Sequence, residues 1–156
     1  MFKIRTILRF VVPALLLGGL ASPAEAAIPT VCTISPSTLN FGAYNRTSGT
    51  ALDAASSVTI SCTNNPAFTI SFGAGGSGNQ LARRMASGAN LLNYNLYKNG
   101  GYTVILGNGA SGTQQISGTV TAGVSTPPIF FNARIPALQN VANGTYVDTV
   151  VMTITY

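Results

Sequence analysis

From residue 57 onward the apolar positions fall on every second residue. Val58, Ile60 and Cys62 alternate with Ser57, Thr59 and Ser61, and beyond the Asn64-Asn65-Pro66 turn Phe68, Ile70 and Phe72 alternate with Thr69 and Ser71. A period of two sends successive side chains to opposite faces, so each stretch predicts a half-buried strand. Residues 91–97 continue the pattern, and Lys98-Asn99-Gly100-Gly101 behind them is a hairpin signal with a short return strand over 102–106. Residues 114–121 predict a polar edge strand and 129–135 an apolar one, while 33–41 read as a single strand kinked at Ser35-Pro36. At the carboxyl end Tyr146, Val150, Met152, Ile154 and Tyr156 share one face, interrupted only by Asp148, and Val147, Thr149, Val151, Thr153 and Thr155 share the other. The glycine-rich run 73–79 predicts a mobile loop. No long window keeps a period of 3.6, so the predicted helix content is small.

Short strands separated by turns at fairly even intervals predict an all-β, antiparallel sandwich of immunoglobulin-like type, with a closed barrel as the structural alternative. Residues 1–26 stand apart from this pattern. Lys3, Arg5 and Arg9 precede an apolar run over 10–20, and Ala24-Glu25-Ala26 supplies the small-x-small pattern of signal-peptide cleavage. An eleven-residue run is short of the roughly 20 residues a membrane-spanning helix needs, so the expectation is a signal peptide over 1–26 and one domain over 27–156. No membrane span is expected once the signal is removed.

Charge and chemistry narrow the reading further. Removing Lys3, Arg5, Arg9 and Glu25 takes the formal net charge from +5 to +3. The five remaining cations are scattered, so nucleic acid is not an expected partner, and the pair Arg83-Arg84 reads as a solvated loop. There is no His, and Asp53 and Asp148 are the only acidic residues after the signal. That inventory leaves no base for a nucleophilic triad and only two carboxylates, read as isolated surface groups, for paired acid-base work. No enzyme, cofactor or metal site is expected. Gly73-Ala74-Gly75-Gly76-Ser77-Gly78 lacks the Lys and Ser/Thr of a phosphate-binding loop. In an exported chain the two cysteines, Cys32 and Cys62, are expected to form one disulfide, closing a loop worth roughly 3 to 4 kcal/mol in the chain-entropy treatment.

Several segments in order resemble the spore coat protein U family, which includes subunits of archaic chaperone-usher pili. They are Cys32-Thr33-Ile34-Ser35, Leu39-Asn40-Phe41-Gly42-Ala43-Tyr44, Val58-Thr59-Ile60-Ser61-Cys62, Arg84-Met85 and Leu92-Asn93-Tyr94-Asn95-Leu96-Tyr97, followed by Gly107-Asn108-Gly109 and Arg134-Ile135-Pro136-Ala137. The run from Gly144-Thr145-Tyr146 to Ile154-Thr155-Tyr156 is the most specific. The resemblance implies an immunoglobulin-like sandwich that lacks its last strand. It implies a chain that is made whole by strand addition, first from a periplasmic chaperone and then from a neighbouring pilus or coat subunit after passage through an outer-membrane usher. The receiving edge would be the last strand, with Tyr146, Val150, Met152, Ile154 and Tyr156 as the interacting residues. Passage through the periplasm to the cell surface, as a pilus, a coat or a secreted protein, is the implied route.

One departure from the family pattern concerns the donor segment. Ala27-Ile28-Pro29-Thr30-Val31 precedes Cys32, a reach of at most about 18 Å, and Pro29 offers no backbone donor. The expectation is a subunit that receives a strand better than it gives one, hence one at the end of a fibre. Smaller departures are Asn132-Ala133 ahead of Arg134 and the glycine-rich loop. The competing expectation is a secreted adhesin or coat module that meets carbohydrate or a surface through loop aromatics, with Tyr44, Tyr97 and Tyr102 as candidates.

Overall fold

The computed structural model describes residues 29–156, so the predicted signal peptide and its cleavage point lie outside the described residues. In chain order the strands are β1 (Cys32–Pro36), β2 (Leu52–Cys62), β3 (Ala67–Phe72), β4 (Arg83–Ser87), β5 (Asn90–Tyr97), β6 (Ile116–Thr119), β7 (Ile129–Ile135) and β8 (Met152–Thr155). They form two antiparallel sheets, one ordered β1-β2-β7-β5-β4 and one ordered β6-β3-β8. A single 3-10 turn, Gly75–Ser77, is the only helical element among the described residues.

Register follows the two-residue period. Ser56 lies opposite Phe131, and Ala54 opposite Ala133. A slip by one residue would exchange the two faces of each strand, and the pairing seen turns Val58, Ile60, Phe131, Ala133 and Ile135 inward. The second sheet contributes Ile70, Phe72, Val150, Met152 and Ile154 to the same core. Phe72 and Phe131 meet between the sheets with ring centroids 5.2 Å apart and planes at 64°, the edge-to-face arrangement that aromatic quadrupoles favour. The two apolar faces therefore close on each other as a sandwich, and the barrel is excluded.

Cys32 and Cys62 lie opposite each other in the β1–β2 ladder and are joined by the expected disulfide. Ahead of Cys32 the backbone stays on its own subunit. Val31 N donates to Thr63 Oγ1 at 3.0 Å, Thr63 N donates to Val31 O at 3.0 Å, and Asn64 Nδ2 reaches Thr30 Oγ1 at 3.1 Å.

The structure departs from the expected elements in several places. β2 begins at Leu52, ahead of the alternation that starts at residue 57, and so takes in Asp53. β4 was not expected, because Arg83 and Arg84 mask a short alternation in which Arg83 and Met85 are the buried positions. Residues 102–106 form no strand. The turn behind Tyr97 is held instead by Asn99 Oδ1, which accepts from the Thr103 and Val104 amides at 3.2 Å each, and by bridges from Ile105 to Tyr97 and from Leu106 to Gln114.

Arg83 itself corrects a reading. It is fully buried rather than solvated, while Arg84 is exposed. Arg83 Nη1 donates to Asn95 Oδ1 at 2.6 Å and Gln80 O at 3.0 Å, and Nη2 donates to Gly73 O at 2.6 Å and Leu106 O at 2.8 Å. Burial disfavours its charged form and lowers its pKa, yet the five-donor fork satisfies several carbonyls that would otherwise be orphaned between the sheets.

Candidate functional site

β8 is an edge strand. It pairs with β3, from Phe72 opposite Met152 to Thr69 opposite Thr155, and no described strand pairs with its other side. Gly73 N donates to Val151 O at 2.8 Å, whereas Phe72 N turns away to donate to Gly107 O at 3.0 Å. Antiparallel pairs alternate between bonded and non-bonded, so Val151, Thr153 and Thr155 spend their backbone groups on β3. Met152 and Ile154 then direct theirs to the unpaired side. Their side chains, like that of Val150, project from the sheet face into the core: Val150, Met152 and Ile154 are 0%, 2% and 3% exposed.

Before β8 the chain bounds a cleft of about 410 Å³ with a lining that mixes apolar and polar side chains. Leu39, Phe41, Tyr44, Met85, Leu92 and Tyr146 line it together with Arg46 and Asp148. The first three belong to the connection between β1 and β2. Its Tyr44 hydroxyl donates to Pro136 O at 2.9 Å and accepts from Gln139 N at 2.8 Å, fixing that connection to the segment after β7.

Of the five residues nominated for strand interaction, Tyr146 lines the cleft and donates its hydroxyl to Ala142 O at 2.8 Å. Val150, Met152 and Ile154 face the core. Tyr156 is half-buried, and its hydroxyl is the one buried side-chain polar atom among the described residues without a partner.

Asp148 stands at the junction of cleft and strand, and it is not an isolated surface carboxylate. Its Oδ1 accepts from the Gly76 and Thr149 amides at 2.8 Å each, and its Oδ2 accepts from the Tyr94 hydroxyl at 2.7 Å. Burial, followed by the bond to Asp148, pushes the Tyr94 pKa far above its ordinary value, so Tyr94 remains a donor at any physiological pH. The run 73–79, expected to be a mobile loop, is ordered by this contact and by Ser77. The Ser77 hydroxyl donates to Ala74 O at 2.9 Å and accepts from the Asn79 amide at 3.2 Å.

The other carboxylate lies in a separate cluster. Arg134 grips Asp53 with both arms, Nε to Oδ1 at 2.6 Å and Nη2 to Oδ2 at 2.8 Å, and sits over the Tyr102 ring with Cζ 3.5 Å from its centroid. The hydrogen bonds from Arg134 hold the Asp53 carboxyl below its usual pKa. Tyr97 meets Tyr102 edge-on at 5.4 Å. Each aspartate thus has its own partners and the two form no acid-base pair. Tyr97 and Tyr102 are brought together and Tyr44 is kept apart, so none of the three is a lone loop aromatic. No group of three metal-ligating side chains occurs among the described residues.

Cleft wall residues 39–44 and the role of Tyr94 escaped the sequence reading as site features, although both lie in segments that carried the family likeness. The signal available for Gly75 was its small size, which the carboxylate of Asp148 requires.

The fold and site define an all-β, immunoglobulin-like sandwich whose C-terminal strand is an edge strand preceded by a cleft of mixed polar and apolar lining. The family model of the Spore Coat Protein U domain matches residues 20–153, and the chain belongs to that family. Protein U of Myxococcus xanthus is 35% identical over 164 residues, an alignment that takes in 86% of this chain and 89% of that protein. Among solved structures, a chain of the CsuC-CsuE chaperone-tip adhesion subunit pre-assembly complex from archaic chaperone-usher Csu pili of Acinetobacter baumannii matches with a TM-score of 0.59 at 24% identity, over 83% of this chain. This chain spans 40% of the length of that one, and the likeness shows the fold. The family is structural rather than enzymatic. No helix among the described residues is long and apolar enough to cross a membrane.

Proposed function

We propose that this chain is an exported structural subunit of an archaic chaperone-usher pilus or surface coat, and that it accepts a strand along β8. The donor would be a periplasmic chaperone first and a neighbouring subunit afterwards. The observation that carries this reading is the edge itself. Met152 and Ile154 turn backbone donors and acceptors outward with no described strand beside them, and Tyr146 and Asp148, in the segment leading into that strand, line the cleft. An unpaired edge invites an added strand, and the apolar side chains of the cleft would add burial to the main-chain bonds. The matched solved structure, which holds a chaperone with a tip adhesion subunit, supports the same reading.

In this proposal residues 1–26 are removed on export, and 27–156 form the mature domain, which crosses the periplasm and reaches the surface through an outer-membrane usher. The place at a fibre end is the finer part of the proposal. It is supported by the bonds that tie residues 29–31 to Thr63 and Asn64, which occupy that segment within its own subunit.

Co-expression with periplasmic chaperones of the archaic type tests the reading. The expected result is a one-to-one complex in which the Met152 and Ile154 amides become protected. A stable monomer that already protects both amides without a partner would overturn it.

A further inference from the structure

We propose that Asp148 sets the register of the C-terminal strand and so decides which backbone groups stand on the open edge. The value of that edge to a partner rests on the function proposed above; the register itself does not.

Between Tyr146 and Met152 the chain changes sheets. Val147 belongs to the first sheet, bonded in both directions to Ala86 of β4 at 2.9 and 3.0 Å. Val151 belongs to the second, its carbonyl accepting from Gly73 N. The apolar pattern alone cannot fix where the transfer happens. Val150, Met152, Ile154 and Tyr156 repeat every two residues, so a slip by one is forbidden by the exchange of faces but a slip by two leaves apolar groups inward. β8 pairs through four residues, too few to pin itself.

Asp148 breaks this degeneracy. It is the one charged member of the inward set, and its carboxylate has a seat made by three elements: the Gly76 amide from the 3-10 turn, the Tyr94 hydroxyl from β5 and the Thr149 amide from its own chain. The seat is shaped for it as well. A Cβ on Gly75 would overlap the carboxylate, and the Gly75 φ of +66° is one that residues with side chains rarely adopt. A slip by two in one direction would carry the carboxylate to the place now held by Val150, which is fully buried, and leave the Gly76 amide and the Tyr94 hydroxyl without their acceptor.

The test uses the exported chain purified without a partner and reads the β3–β8 register by cross-strand nuclear Overhauser contacts and amide exchange. In the wild type, contacts run between Ile70 and Ile154 and between Phe72 and Met152. In Asp148→Ala and in Gly75→Ala, which displaces the carboxylate without removing it, a second set of contacts offset by two residues is expected, with at least tenfold faster exchange at Gly76 and Thr149. Asp148→Asn keeps one acceptor oxygen and preserves the fold, and both registers are expected in it. Asp53→Asn, which removes the other carboxylate, is expected to keep the wild-type contacts. A single wild-type register with unchanged exchange at Gly76 in Asp148→Asn and Gly75→Ala would overturn the proposal. Failure of the wild type to bind a chaperone would count against the strand-acceptor reading alone, because the register is measured without one.

Discussion

Arg83 and Gly73 meet twice: the guanidinium donates to the Gly73 carbonyl from Nε at 3.0 Å and from Nη2 at 2.6 Å. The Gly73 amide in turn donates to Val151 O at 2.8 Å. A cation on β4 therefore reaches, through one glycine, the strand that carries the open edge. No carboxylate among the described residues touches the guanidinium, and its charge is shared among carbonyl oxygens.

Replacing Arg83 by Met keeps much of the volume and removes every donor. The carbonyls of Gly73, Gln80 and Leu106 would lose the guanidinium donors, while Asn95 Oδ1 would keep the Leu96 amide. A loss on the order of 3 kcal/mol is expected, read as a lower midpoint in urea denaturation. Arg83→Lys should recover little, because one ammonium cannot reproduce a planar fork.

Reduction of the Cys32–Cys62 bond, or its replacement by two alanines, releases a loop of 30 residues and should cost roughly 3 to 4 kcal/mol. The lost ordering should be concentrated in β1 and in residues 29–31. Hydrogen exchange before and after reduction would show faster exchange there, with β5 and β7 much less affected.

The Asp53–Arg134 pair predicts a modest acid-side dependence. The folded-state pKa of Asp53 lies below that of the unfolded chain, so the unfolded state binds the proton more tightly. Its contribution is present above the unfolded value near about pH 4 and is lost as pH falls through the lower folded value. The pair is partly exposed, so the effect should be small and should shrink in 1 M salt. Thermal melts from pH 7 to pH 2 should fall less steeply for Asp53→Asn than for the wild type.

The parity of β8 makes a prediction that needs no substitution. In the unpartnered subunit the amides of Thr153 and Thr155 should be protected and those of Met152 and Ile154 should exchange quickly, although the side chains of the latter pair are buried. Equal protection along the strand would mean that another backbone already lies against its outer side.

Most strands were legible because a two-residue apolar period is a local property: β3, β5 and β7 follow the expected bounds to within a residue. The disulfide was legible too, from an exported chain with two cysteines. β4 was not, since the residue that marks its buried face is an arginine, and its burial depends on carbonyls supplied by segments as distant in sequence as Leu106. The same holds for the terminal stretch. Its apolar face was plain along 146–156, yet only residues 152–155 pair in the second sheet, and Val147 is bonded to Ala86 in the first.

What the sequence determined by itself was the alphabet of strands, the crosslink and the family, each carried by residues near one another or by their order. Which strands lie at the sheet edges, where the chain passes from one sheet to the other, and why Gly75 sits beside Asp148 were decided by tertiary structure. The physical reason is that hydrogen-bond partners and burial are set by what the rest of the chain brings alongside, and a one-dimensional pattern carries no record of that.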